Sequence, residues 1–189
     1  MGNRRIGRKR LYGVEKAGQK VDLEAGAGIA GAIVGATQHR QGLEMITEIA
    51  VDLGASSMKG GQADNAAIAT ESAAAHITRL TQAKFGIITE IRAVVMEQPV
   101  GGGITSNEVN VATSASALSQ GAGTATARIA GLDTKGLDSS FDIDDASTLQ
   151  TGSSEHYLYI TNGGAGDESA MSAGKILIYL HGYAVPQDA

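Results

Sequence analysis

Two apolar runs near the C-terminus constrain the fold of this chain more than any other feature. They lie within residues 155–164 and 173–185, are rich in β-branched and aromatic residues, and flank a loop that contains Asn162 and Gly163. Asn and Gly tolerate the positive φ that tight hairpin turns need. The pattern therefore predicts a C-terminal β-hairpin.

Both faces of this hairpin are apolar or aromatic. Successive side chains of a strand point to opposite faces, so Leu158 and Ile160 share one face while Tyr157 and Tyr159 share the other. We expect one face to fill the protein interior and part of the other to meet a neighbouring subunit, because tyrosines are enriched in interfaces. The residues predicted at the subunit interface are Tyr157, Tyr159, Tyr179, His181 and Tyr183.

Further strands are indicated upstream. Residues 32–39 and 44–53 bracket a turn and predict a second hairpin. In the second of these runs Met45, Thr47, Ile49, Val51 and Leu53 fall on one face and Glu44, Glu48 and Asp52 on the other, as in a half-buried strand. Residues 76–81 and 86–96 bracket another turn. Because Ile-Thr-Glu-Ile occurs at both 46–49 and 88–91, we expect two strands in similar sheet environments.

The segment between these strands is poor in apolar side chains. Residues 54–75 are rich in Gly, Ser and Ala and predict a long loop, with a short helix as an option around 66–75. Six to eight short strands separated by turn signals indicate an all-β fold, an antiparallel β sandwich that is jelly-roll-like. We expect one such domain over residues 25–189, preceded by an extended basic N-terminal arm over residues 1–24.

The composition limits the core. Aromatic residues make up 4% of the chain, Trp is absent and there are 26 glycines, so the core is expected to consist of Ile, Val, Leu and many Ala side chains. Such a core gains less from burial per residue, and oligomer contacts are expected to add stability. The chain has no cysteine, which excludes disulfides, thiolate catalysis and Cys-ligated metals.

The charge distribution is strongly asymmetric. Residues 1–20 hold seven basic residues and one acidic residue, a net charge of +6, whereas the other 169 residues hold eight basic and nineteen acidic residues, a net charge of −11. A basic arm of this kind binds nucleic acid through counterion release or docks on an acidic protein surface, and it can also be a solvated tail.

The sequence gives no indication of a membrane partner. The longest apolar run, residues 25–36, is twelve residues long and too short to span a bilayer. No apolar stretch follows the basic N-terminal residues, so we do not expect a secretory signal.

Three motifs invite an enzymatic or metal-binding interpretation. Gly26, Gly28 and Gly31 match the dinucleotide fingerprint, but a charged segment precedes them and β-branched residues follow, so a Gly/Ala connector is favoured. Ser56 to Lys59 match S-x-x-K, but two glycines follow directly, so a loop is favoured over a serine nucleophile.

The third motif is a group of acidic residues at Asp142, Asp144 and Asp145. These carboxylates suit calcium, but the Gly and terminal Glu of an EF-hand are missing, so a solvated acidic turn is favoured. The four histidines show no close metal-ligand spacing. We therefore predict no catalytic residues, no cofactor, no metal and no enzymatic activity.

Four segments taken together resemble a known group of proteins. Residues 6–12, 32–42, 85–94 and the two C-terminal runs are similar to small virion structural proteins of marine tailed bacteriophages. The resemblance implies a capsid cement or decoration protein, a homotrimer that sits on the outer surface of the capsid in the virion and is made in the host cytoplasm. Its implied partners are the major capsid protein and copies of itself, with no membrane partner.

Within this resemblance the basic arm would anchor the protein to the shell. The residues predicted to bind the capsid are Arg4, Arg5, Arg8, Lys9 and Arg10. Nucleic acid is not the expected partner, although genome packaging by the arm is an alternative. Two further alternatives are a trimeric head fibre, spike or tail protein, and a nucleotide-binding enzyme that uses residues 26–31.

Overall fold

The structure is a computed structural model. It describes residues 18–63, 65–70, 72–101, 108–123, 128–133, 140–143, 155–162 and 169–184, with the backbone alone described for residue 108, residues 128–133 and residues 140–143. The described part of the chain forms ten strands, a 3-10 turn at Ala30–Ala32 and a single-turn helix, α1, at Gln82–Phe85. The strands are β1 Gln19–Lys20, β2 Ile33–Gln41, β3 Glu44–Asp52, β4 Thr78–Arg79, β5 Ile87–Gly101, β6 Glu108–Ser114, β7 Arg128–Asp133, β8 Ser140–Ile143, β9 Tyr157–Asn162 and β10 Met171–Tyr183.

These strands form two antiparallel sheets that pack together as a β sandwich. The larger sheet has the order β1-β2-β3-β10-β5-β8, and the smaller one has the order β4-β9-β6-β7. One hydrophobic cluster joins the sheets, with Ile49 and Ile178 from the larger sheet and Val111 and Ile160 from the smaller one. The predicted all-β antiparallel sandwich is confirmed, while a jelly-roll connectivity stays a prediction.

The predicted hairpin near residue 42 is confirmed. Strands β2 and β3 pair antiparallel up to Gln41 and Glu44, which leaves a two-residue turn in which Gly42 has φ +62°. In β3 every second residue from Met45 onward is buried, as the alternation of its side chains predicts.

The predicted C-terminal hairpin is wrong. Strand β9 pairs with β4 and β6 in the smaller sheet, whereas β10 pairs with β3 and β5 in the larger sheet. Each strand already has a partner on both of its edges, so the two runs cannot also pair with each other. Their apolar faces serve different layers of the sandwich.

The two copies of Ile-Thr-Glu-Ile do occupy similar positions, because β3 and β5 flank β10 on either side. Their registers differ at one point. His181 pairs with Glu90 and Gly182 with Ile88, so Thr89 is bulged, and its hydroxyl donates a hydrogen bond to the His181 carbonyl oxygen at 3.4 Å. As a result Ile88 points into the core with no exposed surface, while Ile46, the matching residue of β3, stays half-buried.

The Gly/Ala/Ser-rich segment after β3 is extended instead of helical over its described residues between 66 and 75. Its backbone forms isolated bridges to residues 59, 119, 123 and 161, and the amide of Ile68 bonds the carbonyl oxygen of Ile160. Residues 66–69 are fully buried. The optional helix is therefore wrong, because the backbone of this segment forms hydrogen bonds along the edge of β9 instead of within itself.

The single-turn helix α1 links the two sheets. It begins after Thr81, whose hydroxyl accepts a hydrogen bond from the Lys84 amide at 3.3 Å, and it ends at Gly86 with φ +67°. The turn predicted between residues 76–81 and 86–96 is therefore confirmed as a connection between β4 and β5.

The folded body begins earlier than the predicted domain boundary at residue 25. Strand β1 is an edge strand of the larger sheet, and Leu23 is buried in the main core. Residues 18–24 thus belong to the sandwich, and the remaining part of the predicted arm lies outside the described residues.

Candidate interaction surface

The larger sheet presents an outer face that is turned away from the core. In β10 the side chains of Ile176, Ile178 and Leu180 point inward and are buried, while those of Tyr179 and His181 alternate with them and are half-buried. The face consists mainly of outward-pointing residues of β3, β10 and β5. Three of the five predicted interface residues, Tyr179, His181 and Tyr183, share it.

Tyr179 lies between two opposite charges. In the strand register it is flanked by Glu48 of β3 on one side and Arg92 of β5 on the other. The pKa of the Tyr179 hydroxyl is raised first by burial and then by the Glu48 carboxylate, to which it donates a hydrogen bond, while Arg92 opposes the shift. The row Glu48–Tyr179–Arg92 therefore has a negative end and a positive end.

One end of the outer face is apolar. Tyr183 pairs in register with Glu44 of β3 and Ile87 of β5, and the amide of the next residue, Ala184, bonds the Leu43 carbonyl oxygen at 2.7 Å. Leu43 is 57% exposed, Tyr183 52% and Ile87 39%. Three large apolar side chains are thus exposed together at this end.

Two further pairs of ionisable side chains lie on this face. His39 of β2 approaches Glu48 with 3.8 Å between Nε2 and the carboxylate. At the opposite end Lys175 forms an ion pair with Glu97, which raises the pKa of Lys175 mainly through that hydrogen bond. A cleft of about 230 Å³ opens beside His39 and Glu44.

Tyr159 is not on an accessible surface, contrary to its predicted role at the subunit interface. Its side chain is fully buried between β9 and the small-residue segment, in a cluster with Ala67, Ala69 and Ala75. Because both faces of β9 are covered within the chain, this side chain offers no area to a second subunit.

Tyr157 lies on the smaller sheet and is separated from the other predicted interface residues. Its ring contacts His76 edge-on at 5.1 Å between centroids, and the Arg79 guanidinium lies 5.7 Å from its centroid. Arg79 also pairs with Glu155 at 3.1 Å. The predicted interface residues are therefore split between the two sheets, and one of them, Tyr159, is buried.

The described chain begins at the edge of the larger sheet. The predicted capsid-binding residues Arg4, Arg5, Arg8, Lys9 and Arg10 lie outside the described residues. The described chain begins at Gly18, and a Cβ built on Gly18 would lie 2.6 Å from the His39 ring. Gly18 therefore lies at the sheet edge, next to β2.

Sequence reasoning missed a groove at the same edge. It has a volume of about 630 Å³ and runs between residues 20–25 and residues 33–36. Val34 on its wall is 72% exposed, and Leu23 contributes from the core side. The apolar run at residues 25–36 was the one sequence feature that could have indicated this groove. It did not show that β1 would leave this part of β2 uncovered.

Two of the three glycines in the glycine-rich motif donate their amides to carbonyl oxygens within the chain. The amide of Gly26 bonds the His76 carbonyl oxygen at 2.8 Å, and that of Gly28 bonds the Ala74 carbonyl oxygen at 2.9 Å. A three-residue 3-10 turn follows in place of a helix. Since a phosphate cradle needs free amides at a helix N-terminus, these residues lack the geometry of a dinucleotide site.

Taken together, the other two motifs are described only in part. Ser56 and Ser57 adopt positive φ values in a turn, so the predicted loop is confirmed there. Asp142 lies in β8, whose side chains are outside the described part, as are Asp144 and Asp145. Among the described residues no group of three His, Asp or Glu side chains is arranged to hold a metal ion.

Over the described ranges of the chain, no helix is long and apolar enough to cross a membrane. Comparisons with protein-family models, with curated proteins and with solved structures found no match.

Proposed function

We propose that this protein is a virion structural protein, a capsid cement or decoration protein that binds the outer capsid shell and stabilises it by bridging capsomers. The carrying observation is the position of the basic segment: residues 1–20 carry a net charge of +6 and lead into β1 at the edge of a sandwich whose remaining residues carry −11. The implied partner is the major capsid protein.

The arrangement suits attachment through an arm. A segment that leaves from a sheet edge can follow a neighbouring surface without disturbing the core, which lies between the two sheets. Arg and Lys side chains pair with carboxylates on an acidic shell, and Arg does so with two parallel hydrogen bonds. Arg4, Arg5, Arg8, Lys9 and Arg10 are the anchors in this proposal.

Stabilisation of the shell follows from mass action. A protein that binds only the assembled shell, and contacts two capsomers at once, stabilises the assembly by its binding free energy. The acidic body would remain on the capsid surface, where its charge limits association between particles.

The experiment is binding of the purified protein to empty, DNA-free shells, with residues 2–10 deleted in one variant. A matched control changes the four arginines among the anchors to lysine, which keeps the charge. We expect the deletion to abolish binding and the control to retain most of it, with binding by the natural sequence weakening as salt rises.

Unchanged binding of the deletion variant to empty shells would refute the anchor assignment. Binding of the arm to free DNA, together with loss of shell binding when DNA is absent, would favour the packaging alternative. An electron-microscopy map of the virion tests location: many copies over the shell support decoration, and a few copies at the tail or vertices contradict it.

A further inference from the structure

One row of side chains on the outer face of the larger sheet has charges that are complementary to the same row of a second copy. β10 runs along the middle, β3 lies on one side and β5 on the other. In the central row Glu48, Tyr179 and Arg92 follow one another across these three strands. In a second copy that is turned over by a half-rotation about the direction of β10, the negative and positive ends of this row change places.

We propose that two copies of this protein pair through this outer face, related by a two-fold axis that runs close to the direction of β10. Facing sheets stack about 10 Å apart. This rotation places β3 of each copy over β5 of the other, so each Glu48 meets Arg92 of the second copy while the Tyr179 rings meet at the axis. The contact is isologous, with the same residues on both sides.

The alternative two-fold arrangement, with its axis across the strands, is disfavoured for this row because it would place Glu48 over Glu48 and Arg92 over Arg92. Stacked sheets cross at about 30°, so the strands of the two copies diverge away from the point where they cross. Centring the crossing on Tyr179 keeps the complementary row in contact. It also separates the two copies of the Asp52–Lys175–Glu97 row, which would otherwise face each other with like charges.

The composition of the face also fits contact with a second copy. Around the central row lie half-buried Leu177, Val94 and Ala50, and Tyr183, Leu43 and Ile87 extend the apolar area at one end. Tyrosine supplies a large contact area at a low entropy cost, and a centre of aromatic and apolar groups with charges beside it is typical of protein interfaces.

This pairing predicts a dimer in place of the expected homotrimer, and it is independent of shell binding. The test is native mass spectrometry and light scattering of the full chain at micromolar concentration. Glu48→Arg alone and Arg92→Glu alone should each weaken the dimer roughly tenfold or more, since every 1.4 kcal/mol is a factor of ten.

An equal mixture of the two single variants should restore dimers of mixed mass. In a mixed dimer the arginine introduced by Glu48→Arg faces the glutamate introduced by Arg92→Glu, and the unchanged Glu48 and Arg92 face each other. The double variant should restore dimers by itself. Arg79→Glu, a charge reversal on the smaller sheet, is the matched control and should leave the dimer unchanged; circular dichroism checks that every variant is folded.

Three results would each overturn the proposal. They are a monomeric natural protein at micromolar concentration, a trimer, and a dimer that is unaffected by either single reversal. Failure of the mixture and of the double variant to restore association, with both single variants folded, would also overturn it. Shell binding can fail or succeed without changing these outcomes.

Discussion

The Tyr159 hydroxyl donates a hydrogen bond to the Ser116 carbonyl oxygen at 2.8 Å and accepts one from the Leu118 amide at 2.9 Å. One phenol therefore attaches the segment after β6 to the outer side of β9, beneath which Leu158 and Ile160 enter the main core. With these bonds and no exposed surface, Tyr159 has nothing to offer a second subunit.

Tyr159→Phe is expected to lower the free energy of unfolding by about 1–3 kcal/mol, because a backbone carbonyl and a backbone amide would lose their partner in a buried site. Urea unfolding measures the change. Tyr179→Phe is the matched control and should cost less, since that ring is only half-buried. Equal costs for both variants would contradict the assignment of Tyr159 to the interior.

The same residue predicts a pH dependence at high pH. Burial is the main cause that raises the pKa of Tyr159 from 10.0 to about 12, partly opposed by the bond from Leu118. The fold therefore holds this proton more tightly than the unfolded chain does. Its contribution to stability is complete below pH 10, decreases above that value and is lost as the pH passes about 12.

The measurement compares the natural protein with Tyr159→Phe by urea unfolding across this range. The stability difference between the two proteins should shrink as the pH rises from 10 towards 12, because only one of them has the phenol at residue 159 to ionise. If the stability difference between the two proteins stayed constant with pH, the Tyr159 phenol would have the same pKa in the folded and the unfolded protein.

Local sequence patterns predicted where the strands lie in the chain better than they predicted which strands pair with each other. The alternation in β3 and the Gly42 turn are short-range features, and both are confirmed because a two-residue connection determines the register of β2 and β3. Asn162 marks the end of β9 correctly, but which strands lie beside β9 and β10 depends on pairings with residues far away in sequence. No local signal reports those pairings.

The row of Glu48, Tyr179 and Arg92 could not be predicted from the sequence for the same reason. Glu48 belongs to the first Ile-Thr-Glu-Ile copy, and Arg92 directly follows the second, so the repeat pointed to the two strands involved. The bulge at Thr89 changes the register within the second copy, and Tyr179 comes from a third strand. Only the three-dimensional pairing brings these side chains into one row.

Asn162 is predicted to hold the loop after β3 onto the smaller sheet. Its side-chain amide donates to the carbonyl oxygens of Gly61 at 2.7 Å and Ala63 at 3.3 Å, and the residue is fully buried. Asn162→Ala should lower stability by about 1–3 kcal/mol, since buried carbonyls lose a donor. It should also speed amide hydrogen exchange in residues 58–63.

Gln62→Ala, a change in the same loop at an exposed residue, is the control for Asn162→Ala. It should leave both stability and hydrogen exchange close to those of the natural protein. If the two variants behaved alike, the amide of Asn162 would have no special part in holding the loop.

Added nucleotide is predicted not to change the melting temperature. The Gly26 and Gly28 amides already bond carbonyl oxygens within the chain, so a phosphate would have to displace hydrogen bonds of 2.8 and 2.9 Å. Thermal unfolding with and without ATP or NAD measures this. A rise in melting temperature that depends on nucleotide concentration would contradict the connector interpretation of residues 26–31.

Substitutions at two uncrowded glycines, one in β2 and one in the turn after it, isolate the effect of backbone strain. Neither Gly42 nor Gly35 has another group within 4 Å of a Cβ built on it, but only Gly42 has a positive φ, at +62°. Gly42→Ala should therefore lower the free energy of unfolding by about 1–2 kcal/mol, the cost of the left-handed conformation for a residue with a Cβ. Gly35→Ala should instead raise it by about 0.4–1 kcal/mol, because alanine has less backbone freedom to lose on folding. Chemical unfolding of the two variants measures both changes, and effects of the same sign would contradict the turn geometry.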